Sequence, residues 1–360
     1  MTDLNAYPND YRAREIAALT AACQAGECAA VLGLSGAGKS NVLRRLAEVQ
    51  TQPPIALVDC NRLSAPTPAA LFDLTRRALG DEAETTHPLA ALDAVIERRL
   101  REQQSSLTLA FDRFDALAVP LASGASVFGN LRALRDAHKY RLTFVIAARR
   151  PLDAQNELAE LFFANTLWLG PLSESDARWT VARYTARRSL KWDEKMIQRL
   201  IDLTRGYPSF LRAACEAYAG GAALSVEALS THPSLQTRLA EFWGDQPTDE
   251  ELRLCGLERL PLLTASRPSP GAKALPNFDT GKLTAKEHLL LNYFLDHPTV
   301  VCSKDELIRA VWPEDKVFAQ GVRDDSLAQV VRRLREKIEP DPARPRYIQT
   351  APGRGYRFTA

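Results

Sequence analysis

One stretch limits this chain more than any other. Gly33-Leu34-Ser35-Gly36-Ala37-Gly38-Lys39-Ser40 fills every fixed position of the pattern GxxxxGK[ST]. A short apolar run, 29–32, precedes it, and a helix-period segment, 40–49, follows. Strand, glycine-rich turn and helix in that order point backbone N–H groups and the positive end of a helix at one spot, an arrangement that holds phosphate. The loop positions Gly33, Ser35, Gly36, Ala37 and Gly38 would wrap the phosphates of ATP. Lys39 would meet the β- and γ-phosphates, and the Ser40 hydroxyl would ligate Mg²⁺. The plainer alternative is a glycine-rich turn with a solvated lysine, and the flanking strand and helix argue against it.

Four more apolar runs, 55–59, 107–111, 142–147 and 166–169, alternate with helix-period segments at 68–79, 88–103, 130–137 and 152–164. Continuous apolar strands alternating with helices predict an α/β fold, a parallel sheet covered by helices on both faces. The third run leads into Asp112, the candidate carboxylate for Mg²⁺. Asp115 is either a general base for the attacking water or the start of a helix. Arg149 stands where the 142–147 strand ends, placed to reach a γ-phosphate and report its loss. Arg150 is the adjacent alternative, and a surface arginine is the plain reading of either. Beyond Pro171 the strands stop. Segments 173–188, 193–205, 209–218 and 225–243 read as helices, and Thr248 with Glu251 forms a capping box that opens another. Together they predict an all-α lid domain.

A chain of 360 residues, 46% hydrophobic and 25% charged, has material for two or three domains with real cores. Its apolar runs are too short to span a bilayer, and the polar first residues, interrupted by Pro8, lack the apolar segment of a secretion signal. The six cysteines are scattered, no pair reads CxxC, and histidines number five. No disulfide framework or zinc site is expected from that pattern, and a cytoplasmic protein with reduced thiols is.

The net charge of +2 does not suggest nucleic acid, but its distribution does. From Arg323 to Arg357 there are nine Lys/Arg against five Asp/Glu. A Pro/Gly/Ser-rich stretch, 266–273, reads as a linker ahead of this region. Capping boxes Thr284/Glu287 and Ser303/Glu306 open two short helices, and a longer helix spans 325–338. A hairpin then closes around Pro352-Gly353-Arg354-Gly355. On the long helix Leu327, Val330, Val331, Leu334 and Ile338 share one face, with Ser326, Gln329, Arg332, Arg333 and Glu336 toward the other. Such a face can enter the major groove of double-stranded DNA, and Arg354 at the hairpin tip suits a minor groove. A solvated charged helix with a terminal hairpin is the bland alternative.

Two family resemblances sharpen these readings. About the first 260 residues resemble the STAND branch of AAA+-related P-loop ATPases. Arg14-Glu15 is similar to that group's "GRE" motif, with Ala13 in place of its Gly, and Asp112-Arg113-Phe114-Asp115 is similar to its "DQFE"-like Walker B. Val145-Ile146-Ala147-Ala148-Arg149 resembles its sensor strand, and Gly206-Tyr207-Pro208 its lid "GxP", whose proline packs near the adenine. The resemblance implies the sheet order 5-1-4-3-2, nucleotide contacts at Arg14 and Pro208, and slow hydrolysis, because Arg113 replaces the usual second acid. Residues from about Leu283 to Phe358 resemble the winged-helix domain of OmpR/PhoB-type and ToxR-like regulators. That likeness places DNA contacts on Ser326, Gln329, Arg332, Arg333 and Arg354. It also leaves only 277–282 for the sheet that family has before its first helix. The expected layout is a P-loop domain at 1–171, a helical lid at 172–262, a linker at 263–278 and a winged helix at 279–360.

The reading that follows is an ATP- and Mg²⁺-controlled DNA-binding regulator, its stimulus arriving through a homo-oligomer or a partner sensor protein, with no membrane involved. A DNA-anchored ATPase of a defence or mobile-element system, and an interaction scaffold with a degenerate ATP site, are the alternatives.

Overall fold

The computed structural model describes residues 6–63, 67–103, 106–117, 127–267, 283–297, 300–311, 324–339, 341–342, 344–351 and 354–359. The chain divides into two compact units, Met1–Arg267 and Pro268–Ala360.

The first unit opens with α1 (Ala13–Gln24) and then alternates strand and helix: β1 (Ala29–Leu32), α2 (Lys39–Val49), β2 (Ile55–Asp59), α3 (Pro68–Ala78), α4 (Pro88–Gln103), β3 (Leu107–Asp112), α5 (Val127–His138), β4 (Leu142–Ala148) and β5 (Thr166–Trp168). All the strand pairings are parallel, in the order β2-β3-β4-β1-β5. Read from the β5 edge this is 5-1-4-3-2, the order that the family resemblance implies. The central strands β1 and β4 are buried along their whole length, which is why they read as unbroken apolar runs. The pleat divides them between two cores. Ala29, Val31, Val145 and Ala147 point to one, and Ala30, Leu32, Phe144 and Ile146 to the other. The edge strand β2 alternates, leaving Leu57 exposed.

The helical half follows as α6 (Glu174–Arg187), α7 (Glu194–Thr204), α8 (Pro208–Ala219), α9 (Val226–Thr231), α10 (Pro233–Gly244), α11 (Asp249–Leu254) and α12 (Pro261–Ser266). Its Phe210, Leu211 and Phe242 share a continuous core with the Val31 face of the sheet. Side-chain caps start several of these helices: Ser173, Asp193, Ser225, and the Thr248/Glu251 capping box.

Three expectations need correction. The helix read at 152–164 forms only a single 3₁₀ turn, Ala159–Phe162. Asp153 and Asn156 side chains accept the Gln155 and Leu158 amides, local bonds that compete with helix formation. The helix read at 225–243 is two helices, because Pro233 forces His232 into an extended conformation. The linker does not begin by 263: Leu262 and Leu263 are buried within α12, which Pro261 initiates. Residues 268–282, which hold the remaining linker and the 277–282 stretch, lie outside the described residues.

The second unit contains α13 (Ala285–Asp296), β6 (Val301–Cys302), α14 (Lys304–Val311), α15 (Asp324–Ile338), β7 (Ile348–Ala351) and β8 (Gly355–Phe358). Its small antiparallel sheet runs β6-β8-β7. Both predicted capping boxes form, at Thr284/Glu287 and Ser303/Glu306. Leu290, Phe294, Leu307, Leu327, Val331, Leu334, Ile348 and Phe358 make a core of its own. Glu339 accepts the amides of Arg346, Tyr347 and Ile348, fixing the entry to the hairpin. Gly355 has φ +132°, and a Cβ there would lie 2.0 Å from the Cys302 carbonyl oxygen, so β8 can approach β6 only with glycine at this point. Among the described residues the six cysteines are unpaired, and no helix is long and apolar enough to cross a membrane.

Candidate functional site

The loop between β1 and α2 is shaped by its glycines. Gly36 and Gly38 adopt φ +86° and +90°, left-handed values that L side chains rarely tolerate. No side chain caps the N-terminus of α2; the Asn41 amide donates to the Gly38 carbonyl at 3.0 Å, and the Lys39 and Ser40 amides, with no acceptor among the described residues, remain donors for a ligand. Lys39 is half-buried, with Nζ donating to the Gly33 carbonyl at 2.5 Å. Burial lowers its pKa from the usual lysine value, against the opposing pull of Asp115, Asp245 and Asp112. Ser40 lies half-buried in the first turn of α2.

Around this loop the sheet ends deliver the predicted acids and arginines. Asp112 closes β3 half-buried, one oxygen accepting the Arg113 amide at 3.0 Å. Asp115 does not start a regular helix. It sits in a short 3₁₀ segment, Phe114–Leu117, and its two oxygens accept the Arg149 amide at 2.8 and 3.1 Å, tying β3 to the end of β4. Neither arginine is a free surface residue. Arg149 Nη1 donates to Asp245 Oδ1 at 2.8 Å. Arg150 donates to Glu251 and to the carbonyls of Asp245 and Gln246.

The helical half closes over the same loop. Pro208 Cγ would stand 3.7 Å from a Cβ on Gly38, so the predicted lid proline does border the phosphate loop. Tyr207 Oη donates to the Ser35 carbonyl at 2.8 Å, and the Ser209 amide to the Gly36 carbonyl at 3.2 Å. Asp245 Oδ2 accepts the Ser35 amide at 2.6 Å.

On the N-terminal side the buried arginine tied to the phosphate loop is Arg12. Arg14 is exposed, whereas Arg12 is 3% exposed. Arg12 Nη2 donates to the carbonyls of Ala37 and Gly170, its Nη1 to that of Pro171, and its backbone amide to Asp176. Sequence reasoning missed Arg12, Asp245 and the Tyr207 hydroxyl. Only the second had no local signal: Asp245 follows a helix end and is brought to the loop by tertiary packing. Arg12 directly precedes the Ala13-Arg14-Glu15 motif, and Tyr207 lies inside Gly206-Tyr207-Pro208.

In the second unit α15 buries Leu327, Val331, Leu334 and Ile338 and presents Gln329, Arg332 and Arg333 as exposed side chains, with Ser326 half-buried. Arg332 pairs with Glu336 at 3.0 Å. Arg335 reaches across to the Ile348 carbonyl and Thr350 Oγ1, fixing the helix to the hairpin. Arg354 is exposed beside the hairpin turn, its amide donating to the Ala351 carbonyl.

Comparison with known proteins agrees with both units. The family described as Novel STAND NTPase 1 matches residues 11–264, more than half of the chain. The chain belongs to that family. A second family, described as Transcriptional regulatory protein, C terminal, matches residues 279–358 of this STAND NTPase. Its second unit is thus an OmpR/PhoB-type winged-helix DNA-binding domain of the kind found in transcriptional regulators. Curated relatives match over short stretches. Transcriptional regulatory protein YvrH of Bacillus subtilis is 47% identical over 69 residues, 19% of this chain and 27% of that protein. Regulatory protein VirG of Agrobacterium tumefaciens is 43% identical over 79 residues, 22% and 28% of the two chains. The STAND NTPase spans less than a third of the length of either relative. Among solved structures it is similar to the Walker-type ATPase paby2304 of Pyrococcus abyssi, with TM-score 0.47, 16% identity, and 96% and 92% of the two chains covered. The ORC2 protein of Aeropyrum pernix gives 0.47, 15%, 99% and 92%.

Proposed function

We propose that this chain is a transcriptional regulator whose DNA binding is controlled by ATP and Mg²⁺. The observation that carries the reading is the convergence on one phosphate loop of Lys39, the acids ending β3, the strand-end arginine Arg149, and three lid residues, Tyr207, Ser209 and Asp245. The residues present fit a nucleotide. Gly36 and Gly38 hold the loop in a left-handed turn, and Ser209 Oγ is buried beside Gly36 with no hydrogen-bond partner among the described residues, a polar atom left for a ligand. Lys39 would hold the β- and γ-phosphates, and Ser40 with Asp112 would hold Mg²⁺. Bound Mg²⁺ would supply charge neutralisation for the phosphates. Asp115, already oriented by the Arg149 amide, is the proposed base, and turnover is slow because Arg113 offers no second carboxylate.

Gln329, Arg332 and Arg333 would then read or grip DNA in the major groove, with Ser326 beside them and Arg354 at the wing. We place the work of such a regulator in the cytoplasm, with a second copy or a partner protein as the source of its signal. The decisive measurement is nucleotide affinity by titration calorimetry with Mg-ATP. Lys39→Ala should abolish binding, since it removes the charge that meets the phosphates. Equal affinity in wild type and Lys39→Ala overturns the reading.

A further inference from the structure

Asp245 is the least expected member of the site. It follows α10 in the lid, is 6% exposed, and belongs to no motif. A carboxylate so deeply buried is tolerable only if its oxygens are paired. Both are. Oδ2 accepts the Ser35 amide at 2.6 Å, and Oδ1 accepts Arg149 Nη1 at 2.8 Å. One donor is a backbone amide of the phosphate loop and the other the arginine at the end of β4. A phosphate oxygen bound between loop and strand end would call on the same two kinds of donor.

The carboxylate is also delivered there by design of the chain around it. Arg150 donates to the carbonyls of Asp245 and Gln246 and to Glu251, so consecutive arginines leaving β4 hold the side chain and the backbone of one lid turn. Glu251 is itself fixed by the capping box with Thr248.

We propose that Asp245 is an internal occupant of the phosphate loop, a lid carboxylate that holds a loop amide and Arg149 until the phosphates of a nucleotide displace it. The proposal rests on the nucleotide reading above and adds its regulation. Two anions cannot share one amide and one guanidinium donor and repel at such range, so phosphate entry and the Asp245 contacts exclude each other. Displacement would leave the turn from 244 to 251 held by Arg150 and its capping box alone, loosening it and transmitting occupancy to the lid. The held state also lowers apparent nucleotide affinity, because only the released fraction binds.

The test uses the full chain and fluorescent MANT-ADP with Mg²⁺, comparing wild type, Asp245→Ala, Asp245→Asn and Lys39→Ala. Asp245→Ala and Asp245→Asn should each tighten binding about tenfold, by removing the competing charge. Unchanged or weaker binding in both, with Lys39 still required, overturns the proposal and leaves the nucleotide reading standing. Equal binding by Lys39→Ala and wild type overturns the nucleotide reading and this proposal with it. Hydrogen exchange on the wild-type chain checks the idea without any substitution at 245. Adding Mg-ADP should speed deuterium uptake across 244–251, and unchanged or slower uptake there overturns the proposal.

Discussion

At the scale of single residues, Gly36 is the tightest constraint on the phosphate loop. Its φ of +86° would strain any L side chain, and a Cβ would meet Ser209 Oγ at 2.0 Å. Gly36→Ala should therefore cost about 1–3 kcal/mol of stability through backbone strain and displacement of the lid serine. Thermal melting of the variant should show a lowered Tm, and nucleotide affinity should fall with it because the loop changes shape. A melting curve matching wild type would mean that the lid yields freely around the loop. The same scale shows what a sequence can and cannot reveal. The glycine, lysine and serine of the loop were legible because a phosphate cradle demands those types at those spacings. Asp245 was not, since its partners Ser35 and Arg149 lie far away along the chain and meet it only through lid packing. Arg12 was nearly legible, but a helix-flanking arginine carries no sign of whether it will be buried; its backbone φ of 51° and its carbonyl partners decide that.

At the scale of elements, burial decides which readings succeed. The β1 and β4 runs were recognisable because both faces are covered, so composition alone marks them. The segment 152–164 looked helical by its apolar spacing, yet side-chain bonds from Asp153 and Asn156 capture the amides that a helix would need. In α15 the periodicity was unambiguous, and the buried stripe from Leu327 to Ile338 leaves Gln329 and Arg333 outward, one turn apart. That placement makes Arg333 the residue to test. Unlike Arg335, it is not committed to the Ile348 carbonyl and Thr350 hydroxyl of the hairpin. Arg333→Ala should cost about 1–3 kcal/mol of binding at a specific DNA site and relax base preference at one position. Selection of bound sequences from a random pool, followed by affinity measurement on the winner and its single-base variants, would read both effects. An equal loss on every sequence would instead identify Arg333 as a phosphate contact.

At the scale of the whole molecule, the chain joins two units that each bury their own core. Such units can bind their ligands independently, and a switch exists only if occupancy of one site changes the free energy of binding at the other. Control of DNA binding by nucleotide therefore makes a quantitative demand. If Mg-ATP changes DNA affinity by some factor, DNA must change Mg-ATP affinity by the same factor, typically about 5- to 150-fold in coupled systems. Four dissociation constants on the full chain settle it: DNA with and without saturating Mg-ATP, and Mg-ATP with and without saturating DNA. The salt concentration must be held constant throughout, because DNA affinity falls steeply as salt rises. The expected result is two equal ratios, both well away from one, with the Lys39→Ala chain showing no response of DNA affinity to ATP. Ratios of one at both sites would leave an ATPase and a DNA anchor merely sharing a chain, and the regulatory reading would give way to that alternative.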